Sequence, residues 1–223
     1  MIKKILQATL ISLLASSSVF AAPIVLTFEG VGNVANILNF YNGGTDSAGN
    51  SGTNYGISFG SNSLGIIESK MGGSGNFENE PSPKTVLFFI SGSAVLNKAA
   101  GFDTGFSFFY SSSTAATVKV YDDINATGTL LTTINLVRQM GTDCKAGSIM
   151  TFCNFSSAGG SFSGIAKSID FGGAQNQIGF DNITFGSEQA VVNTSTAVPE
   201  PASLSLLALA MLGFVAARRK SAK

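Results

Sequence analysis

The side chains best suited to chemistry in this 223-residue sequence are carboxylates. The chain contains no histidine, which excludes Ser–His–Asp and Cys–His nucleophilic sites and nearly all catalytic zinc sites. Paired carboxylates, as in glycoside hydrolysis, remain. The candidates are Glu29, Glu68, Glu78, Glu80, Asp103 and Asp181. No spacing selects two of them, and the chain lacks tryptophan, an aromatic platform for sugars, so we predict a protein that is not an enzyme.

Glu29 and Asp181 could instead bind a metal ion. Glu29 ends the first apolar segment after residue 22, and Asp181 lies in the last one before residue 197. Sandwich domains of the carbohydrate-binding kind often hold structural calcium between these two strands, and oxygen ligands suit calcium. We therefore predict calcium here as the one cofactor that the sequence indicates. In the alternative, Glu29 starts a turn and Asp181 lies in a bulge or at a strand edge, without metal.

A second acidic segment is a weaker calcium candidate. Asp122, Asp123 and Asn125 lie close together between two apolar segments. The segment lacks the correctly spaced glycine and the closing glutamate of an EF-hand loop. Its composition is better explained as turn chemistry, because Asx side chains and glycine stabilise turns.

Cys144 and Cys153 are the only cysteines of the chain. In an exported protein a local pair of this kind is expected to form a disulfide. The alternatives are two free thiols or half of a metal site, but the chain has no histidine or further cysteine to complete a zinc site. The loop is short, so the entropic stabilisation is modest, about 2–3 kcal/mol.

The charge of residues 22–197 differs from that of the whole chain. The formal net charge is zero, but six of the 13 basic residues lie in the two terminal segments. Residues 22–197 contain seven basic and 12 acidic residues, a net charge of −5. An acidic domain without a basic patch is a poor ligand for nucleic acid, so we expect no nucleic-acid partner.

The elements that must position these residues are short strands. Glycine, serine, threonine and asparagine are abundant, and phenylalanine is the main large apolar residue. Apolar segments of strand length occur at residues 24–28, 55–59, 64–68, 85–90, 102–110, 117–121, 129–136, 166–171 and 178–185. We see no helical periodicity between the termini and expect about ten strands. The pattern predicts an all-β domain at residues 22–187, an antiparallel β-sandwich that is jelly-roll-like, followed by a polar linker at 188–197.

The amino terminus has the layout of a secretory signal peptide. Lys3 and Lys4 precede an apolar core at residues 5–14, and Val19-Phe20-Ala21 fits the small-residue cleavage pattern. We predict a signal peptide at residues 1–21, removed by signal peptidase. An uncleaved membrane anchor is the alternative, although the apolar core is short for a membrane span.

The carboxyl terminus combines three features in a fixed order. Val198, Pro199, Glu200 and Pro201 form an extended motif, because each proline restricts the residue before it. An uncharged apolar segment at residues 202–217 follows, about 24 Å long as a helix. The basic residues Arg218, Arg219 and Lys220 come next and favour the cytoplasmic side of a membrane. A plain tail anchor and a buried helix are the alternatives.

This terminal layout resembles the sorting signal of the bacterial PEP-CTERM proteins, and residues 178–183 resemble a closing strand common among them. The resemblance implies a sorting signal at residues 198–223 with its membrane segment at 202–217. It also implies recognition by an exosortase, which cuts near the proline motif and releases or re-anchors the exported part. The inner membrane would then hold the precursor only transiently.

Three functions remain open at this level. The first is an exported, non-enzymatic β-sandwich protein of the cell envelope, associated by family resemblance with extracellular polysaccharide or biofilm matrix. The second is a carbohydrate-binding or carbohydrate-hydrolysing module in the same place. The third is a structural surface protein without a glycan ligand.

Overall fold

A computed structural model describes residues 23–103 and 105–192 of the protein, which belong to one compact unit. The predicted signal peptide, the motif at 198–201, the membrane segment at 202–217 and the basic residues at 218–220 lie outside these residues. Among the described residues, we find no helix with the length and hydrophobicity of a membrane span.

The described residues form an all-β structure, apart from one turn of 3-10 helix at Ser69–Met71. Twelve strands were found in this part of the chain, and every ladder between them is antiparallel. The strands are β1 (Ile24–Leu26), β2 (Ala35–Asn36), β3 (Ser58–Phe59), β4 (Leu64–Ile67), β5 (Thr85–Phe88), β6 (Ala94–Phe102), β7 (Phe106–Ser112), β8 (Ala116–Tyr121), β9 (Leu130–Leu136), β10 (Ser156–Gly160), β11 (Ala166–Phe171) and β12 (Ile178–Phe185).

The strands divide into two sheets. The seven-stranded sheet has the order β10-β7-β12-β5-β4-β2, with β1 also paired to β12, and the five-stranded sheet has the order β3-β6-β11-β8-β9. Strands β5 to β12 alone give β5-β12-β7-β10 in one sheet and β6-β11-β8-β9 in the other. This arrangement of eight strands in two sheets is the strand order found in jelly rolls. The first strand, β1, lies against the last, β12.

One hydrophobic core joins the two sheets. Alternate residues of β7, namely Phe106, Phe108 and Tyr110, point into it. From the other sheet, Phe171 contacts Phe108 and Phe180, with ring centroids 5.7 Å and 4.9 Å apart in edge-to-face geometry. Each buried phenylalanine stabilises the fold by about 1.5–3 kcal/mol. The abundance of phenylalanine in the sequence is thus explained by the space between two sheets.

The prediction of one continuous strand over residues 102–110 is wrong. β6 ends at Phe102 and β7 begins at Phe106, so the alternating phenylalanines belong to strands in different sheets. Gly101 has a φ of +78°, a conformation that favours glycine. A Cβ atom at Gly105 would lie 2.7 Å from the Gly160 carbonyl oxygen. The two glycines therefore permit the chain to turn from one sheet to the other.

Candidate functional site: a carboxylate cluster between the first and last strands

Two backbone irregularities position the predicted metal ligands. Leu26 pairs with Ile183, so the chain leaves β1 beside the middle of β12. Phe28 then adopts a φ of +60°, and its amide donates a hydrogen bond to the buried hydroxyl of Tyr41 at 2.8 Å. Burial raises the pKa of this Tyr41 hydroxyl well above its ordinary value. On β12, the register against β7 shifts after Asp181, and Asn182 has a φ of +46°, as in a β-bulge.

Ser82 connects the carboxylates of Glu29 and Asp181. Its hydroxyl oxygen lies 2.8 Å and 3.0 Å from the two Asp181 oxygens and 3.3 Å from Glu29 Oε1. The carbonyl oxygens of Thr27 and Thr85 lie 2.9 Å and 3.4 Å away. Five oxygens therefore surround Ser82 Oγ, although a hydroxyl donates only one hydrogen bond at a time. The structure thus brings the two predicted residues to a common centre.

Backbone amides stabilise both carboxylates. Glu29 Oε1 accepts hydrogen bonds from the amides of Lys84 and Thr85, at 3.0 Å and 2.8 Å. The amides of Ser82 and Asn182 donate to the two oxygens of Asp181, at 2.8 Å and 2.7 Å. Each carboxylate is therefore anchored by two backbone amides, and the single hydrogen of the Ser82 hydroxyl is shared among its neighbours.

Asp181 is fully buried, and this determines its protonation state. Burial raises the pKa of its carboxyl to about 8, although hydrogen bonds from Ser82 and Asn182 act in the opposite direction, and the negative charge of Glu29 adds to the rise. Without a bound cation, Asp181 therefore keeps its proton at neutral pH. A buried carboxyl is also closed to a polymeric substrate, so this pair is poorly placed for hydrolysis.

The donor atoms around Ser82 are the kind that calcium prefers. All five are oxygens, and three of them belong to the carboxylates of Glu29 and Asp181. The Ser82 hydroxyl occupies the centre of this shell, so an ion bound by both carboxylates requires that side chain to rotate away. A nearby cation would also favour the ionised form of Asp181 and lower its pKa.

A second group of carboxylates lines a shallow surface pocket next to this centre. Glu68, Glu78 and Glu80 lie there together with Lys145. Burial raises the pKa of Glu80 to about 7, and the charges of Glu68, Glu29 and Glu78 contribute. Within the described part of the chain, Glu80 Oε1 is buried without a hydrogen-bond partner. Hydrogen bonds from the Lys70 side chain and the Lys145 amide lower the pKa of Glu78 to about 2.

The predicted disulfide is present and fixes the loop beside this pocket. Cys144 and Cys153 are bonded to each other. The Asn79 side-chain amide donates to the carbonyl oxygens of Asp143 and Cys153, at 3.0 Å and 3.2 Å. A carboxylate oxygen of Glu78 lies within 4.8 Å of both sulfurs. Disulfide sulfurs are not thiolates, so this group is not a metal site while the bond is intact.

The remaining acidic candidates lie elsewhere. Asp103 is exposed. Asp122 accepts a hydrogen bond from the Thr129 amide at 2.6 Å, and Asp123 accepts one from the Ile124 amide at 2.9 Å. These carboxylates therefore close the turn between β8 and β9, as expected for Asx turn chemistry.

Ser82 belongs to the site but was not among the residues predicted from the sequence. Its position between Pro81 and Pro83 could have indicated a fixed backbone at this residue, because both prolines restrict the chain.

Comparison with known proteins identifies the carboxyl terminus. Residues 197–220 match the model of the PEP-CTERM protein-sorting motif. The chain carries a PEP-CTERM sorting motif. The prediction made from Pro199, Glu200, Pro201 and the basic residues after them is therefore confirmed. The motif is typical of exported proteins that an exosortase processes.

Comparison with curated proteins and with solved structures adds little about the folded domain. No curated protein matches the chain. One solved structure, a family 6 carbohydrate-binding module studied for its binding sub-sites, is similar over 59% of this chain and 87% of its own. The sequence identity is 20% and the TM-score is 0.35. At this level the similarity does not support an argument about fold or ligand.

Proposed function

We propose that this protein is exported, is sorted to the cell envelope through its PEP-CTERM motif, and associates there with extracellular polysaccharide without catalysing a reaction. The observation that carries this proposal is the sorting motif at residues 197–220. In the proposed route, signal peptidase removes residues 1–21, and residues 202–217 hold the precursor in the inner membrane. Exosortase then cuts near Pro199–Pro201.

A non-catalytic role is supported by the state of the carboxylates. Asp181 is buried and hydrogen-bonded to backbone amides, and Glu78 is paired with Lys70. Such groups stabilise loops more readily than they transfer protons to a polymer. The acidic domain is also a poor partner for nucleic acid. In this proposal, calcium at Glu29 and Asp181 has a structural role, because it would hold β1 and the segment at Ser82 against β12.

The proposal is tested by sedimentation of the exported protein with insoluble matrix polysaccharide from the producing cells. We expect the protein to sediment with the polysaccharide, while the amount of soluble sugar does not change. A protein that stays in solution at every polysaccharide concentration would contradict the association and favour a structural surface protein without a glycan ligand.

Hydrolysis of a polysaccharide is the second candidate function, and one observation favours it. Glu80 has a pKa of about 7, which is suitable for a general acid, and it lies beside Glu68 and Glu78 in a pocket at the surface. Release of reducing ends from the same polysaccharide would support this function, provided that Glu80→Gln abolishes it. The absence of reducing ends at high protein concentration favours binding alone.

A further inference from the structure

A small cleft lies on the outer face of the seven-stranded sheet. Its floor crosses four neighbouring strands. Ile66 on β4 pairs with Val86 on β5, and Gly179 on β12 pairs with Ser111 on β7. A Cβ atom at Gly179 would lie 3.2 Å from Val86 Cγ2, so these two cross-strand residue pairs are neighbours in the sheet. The absence of a side chain at Gly179 therefore leaves space in the middle of the floor.

Aromatic rings from two loops form the walls of this cleft. Phe77 and Phe152 come together in an isolated β-bridge between the loops, and the Phe77 and Phe155 rings meet edge to face at 6.2 Å. Phe152 and Phe155 remain partly exposed, so the cleft reaches the surface. The Cys144–Cys153 disulfide lies directly beside Phe152 in the sequence and holds this loop closed. The walls are thus positioned by covalent and backbone contacts.

Ser111 provides a polar group at the floor. The residue is fully buried, and in the described part of the chain its hydroxyl has no hydrogen-bond partner. Leaving a buried hydroxyl without a partner is unfavourable, and such groups are rare in native structures. A ligand atom in the cleft would satisfy it. The cavity volume is about 40 Å³, and since one water needs about 10–15 Å³, the space suits a group of about three heavy atoms.

We propose that this cleft binds the acetyl substituent of an acetylated polysaccharide. The inference rests on the proposed association with polysaccharide and adds the site and the substituent recognised. An acetyl group has three heavy atoms. Its methyl group matches the aromatic rings of the walls, although Asn76 and Asn176 also line the cleft. Its carbonyl oxygen would accept a hydrogen bond from the Ser111 hydroxyl. Among the described residues that line the cleft, none has a charged side chain, which disfavours carboxylate, phosphate and amine substituents.

Two oligosaccharides that differ in one substituent test this proposal. The N-acetylglucosamine hexamer and the glucose hexamer share the β-1,4 linkage, but only the first has acetyl groups. Binding of each to the full chain in lipid nanodiscs is measured by calorimetry, and detergent is avoided because it would compete for an apolar cleft. We expect the acetylated hexamer to bind at least tenfold more tightly than the glucose hexamer.

Two variants locate the binding within the protein. Ser111→Ala removes the hydroxyl and should weaken binding of the acetylated hexamer about three- to tenfold, the effect of one lost hydrogen bond. Because that hydroxyl has no protein partner, the melting temperature should not fall. Gly179→Ala places a methyl group in the floor and should weaken binding to a similar or greater degree. The matched controls are Ser157→Ala on the exposed surface of β10 and Gly160→Ala, whose Cβ would make only ordinary contacts at 3.5 Å.

The outcomes separate this inference from the proposed function. Equal binding of both hexamers, or unchanged binding in both cleft variants, overturns the inference. If the protein still sediments with matrix polysaccharide in that case, the proposed function stands and the binding site lies elsewhere. If the protein binds neither hexamer nor matrix polysaccharide, both proposals fail. Ser111→Ala could also weaken binding by destabilising the fold. If its melting temperature falls and Ser157→Ala weakens binding to the same extent, the inference is overturned as well.

Discussion

The protonated state of Asp181 makes the stability of the folded domain depend on pH in an unusual direction. The ordinary pKa of an aspartate carboxyl, which applies to the unfolded chain, is 3.8, and burial raises the pKa of Asp181 to about 8 in the folded protein. Below pH 3.8 both the folded and unfolded states hold the proton. As the pH rises above 3.8, the unfolded chain releases it while the folded chain keeps it, so stability falls until about pH 8. Most buried carboxylates that accept hydrogen bonds give the opposite trend.

Asp181→Asn removes this titration and allows its size to be measured. At about 1.4 kcal/mol per pH unit, a pKa difference from 3.8 to about 8 corresponds to about 6 kcal/mol as an upper limit. We expect about half, roughly 2–3 kcal/mol, because buried sites relax and admit water. An asparagine amide nitrogen cannot accept the hydrogen bond from Ser82 or Asn182, so the variant loses about 1–3 kcal/mol at every pH.

The assay is urea unfolding of residues 22–197 from pH 4 to pH 8, in the presence of a chelator. The quantity of interest is the free energy of unfolding of the wild type minus that of Asp181→Asn, because other titrating groups such as Glu80 cancel. This difference should be positive at pH 4 and decrease by about 2–3 kcal/mol by pH 8.

Asp46→Asn is the matched control for this experiment. Burial alone would raise the pKa of Asp46, but hydrogen bonds from Asn50, Gly32 and Ala48 lower it below the ordinary value. Its contribution is therefore present above the unfolded pKa and is lost as the pH falls, the opposite sign to Asp181. A wild-type advantage over Asp181→Asn that stays constant, or grows, between pH 4 and pH 8 would refute the buried, protonated Asp181.

Two further predictions concern the disulfide and the metal. Replacing Cys144 and Cys153 together by serine should lower the free energy of unfolding by about 2–3 kcal/mol; alkylation of both thiols in the unreduced wild-type protein, seen by mass measurement, would contradict the disulfide. Calcium at 100 times its Kd should stabilise residues 22–197 by about 2.7 kcal/mol, and the Glu29→Gln, Asp181→Asn double variant should lose this effect and keep its β-sheet circular dichroism. An equal response in the variant would place the metal elsewhere, whereas no response in the wild type would exclude calcium.

Periodicity was sufficient to predict part of the fold. The strands at Ala166–Phe171 and Ile178–Phe185 have the bounds that the apolar pattern gives, and the β8–β9 hairpin differs by one residue at one end of each strand. These segments alternate or are continuously apolar because they line the core. By contrast, β10 at Ser156–Gly160 contains only serine, alanine and glycine, so its pairing with β7 depends on tertiary context rather than on propensity.

The candidate sites were predictable only where the strand order fixes them. Glu29 and Asp181 could be placed together because a sandwich that closes its first strand on its last brings them to one edge. Ser82 and Glu80 belong to a loop whose path depends on the bulge at Asn182 and on contacts with the disulfide loop. The cleft at Ser111 likewise requires Phe77 and Phe152 to meet across two loops that are far apart in the sequence. Local sequence patterns do not encode such contacts.

Processing of the precursor tests the sorting claim most directly. Replacing Pro199, Glu200 and Pro201 by alanine removes the extended motif but leaves the signal peptide unchanged. In a pulse-chase experiment with membrane fractionation, the wild-type precursor should shorten and leave the inner membrane. The variant should be exported but remain full length in that membrane. Cleavage and release of the variant at the wild-type rate would contradict sorting through this motif.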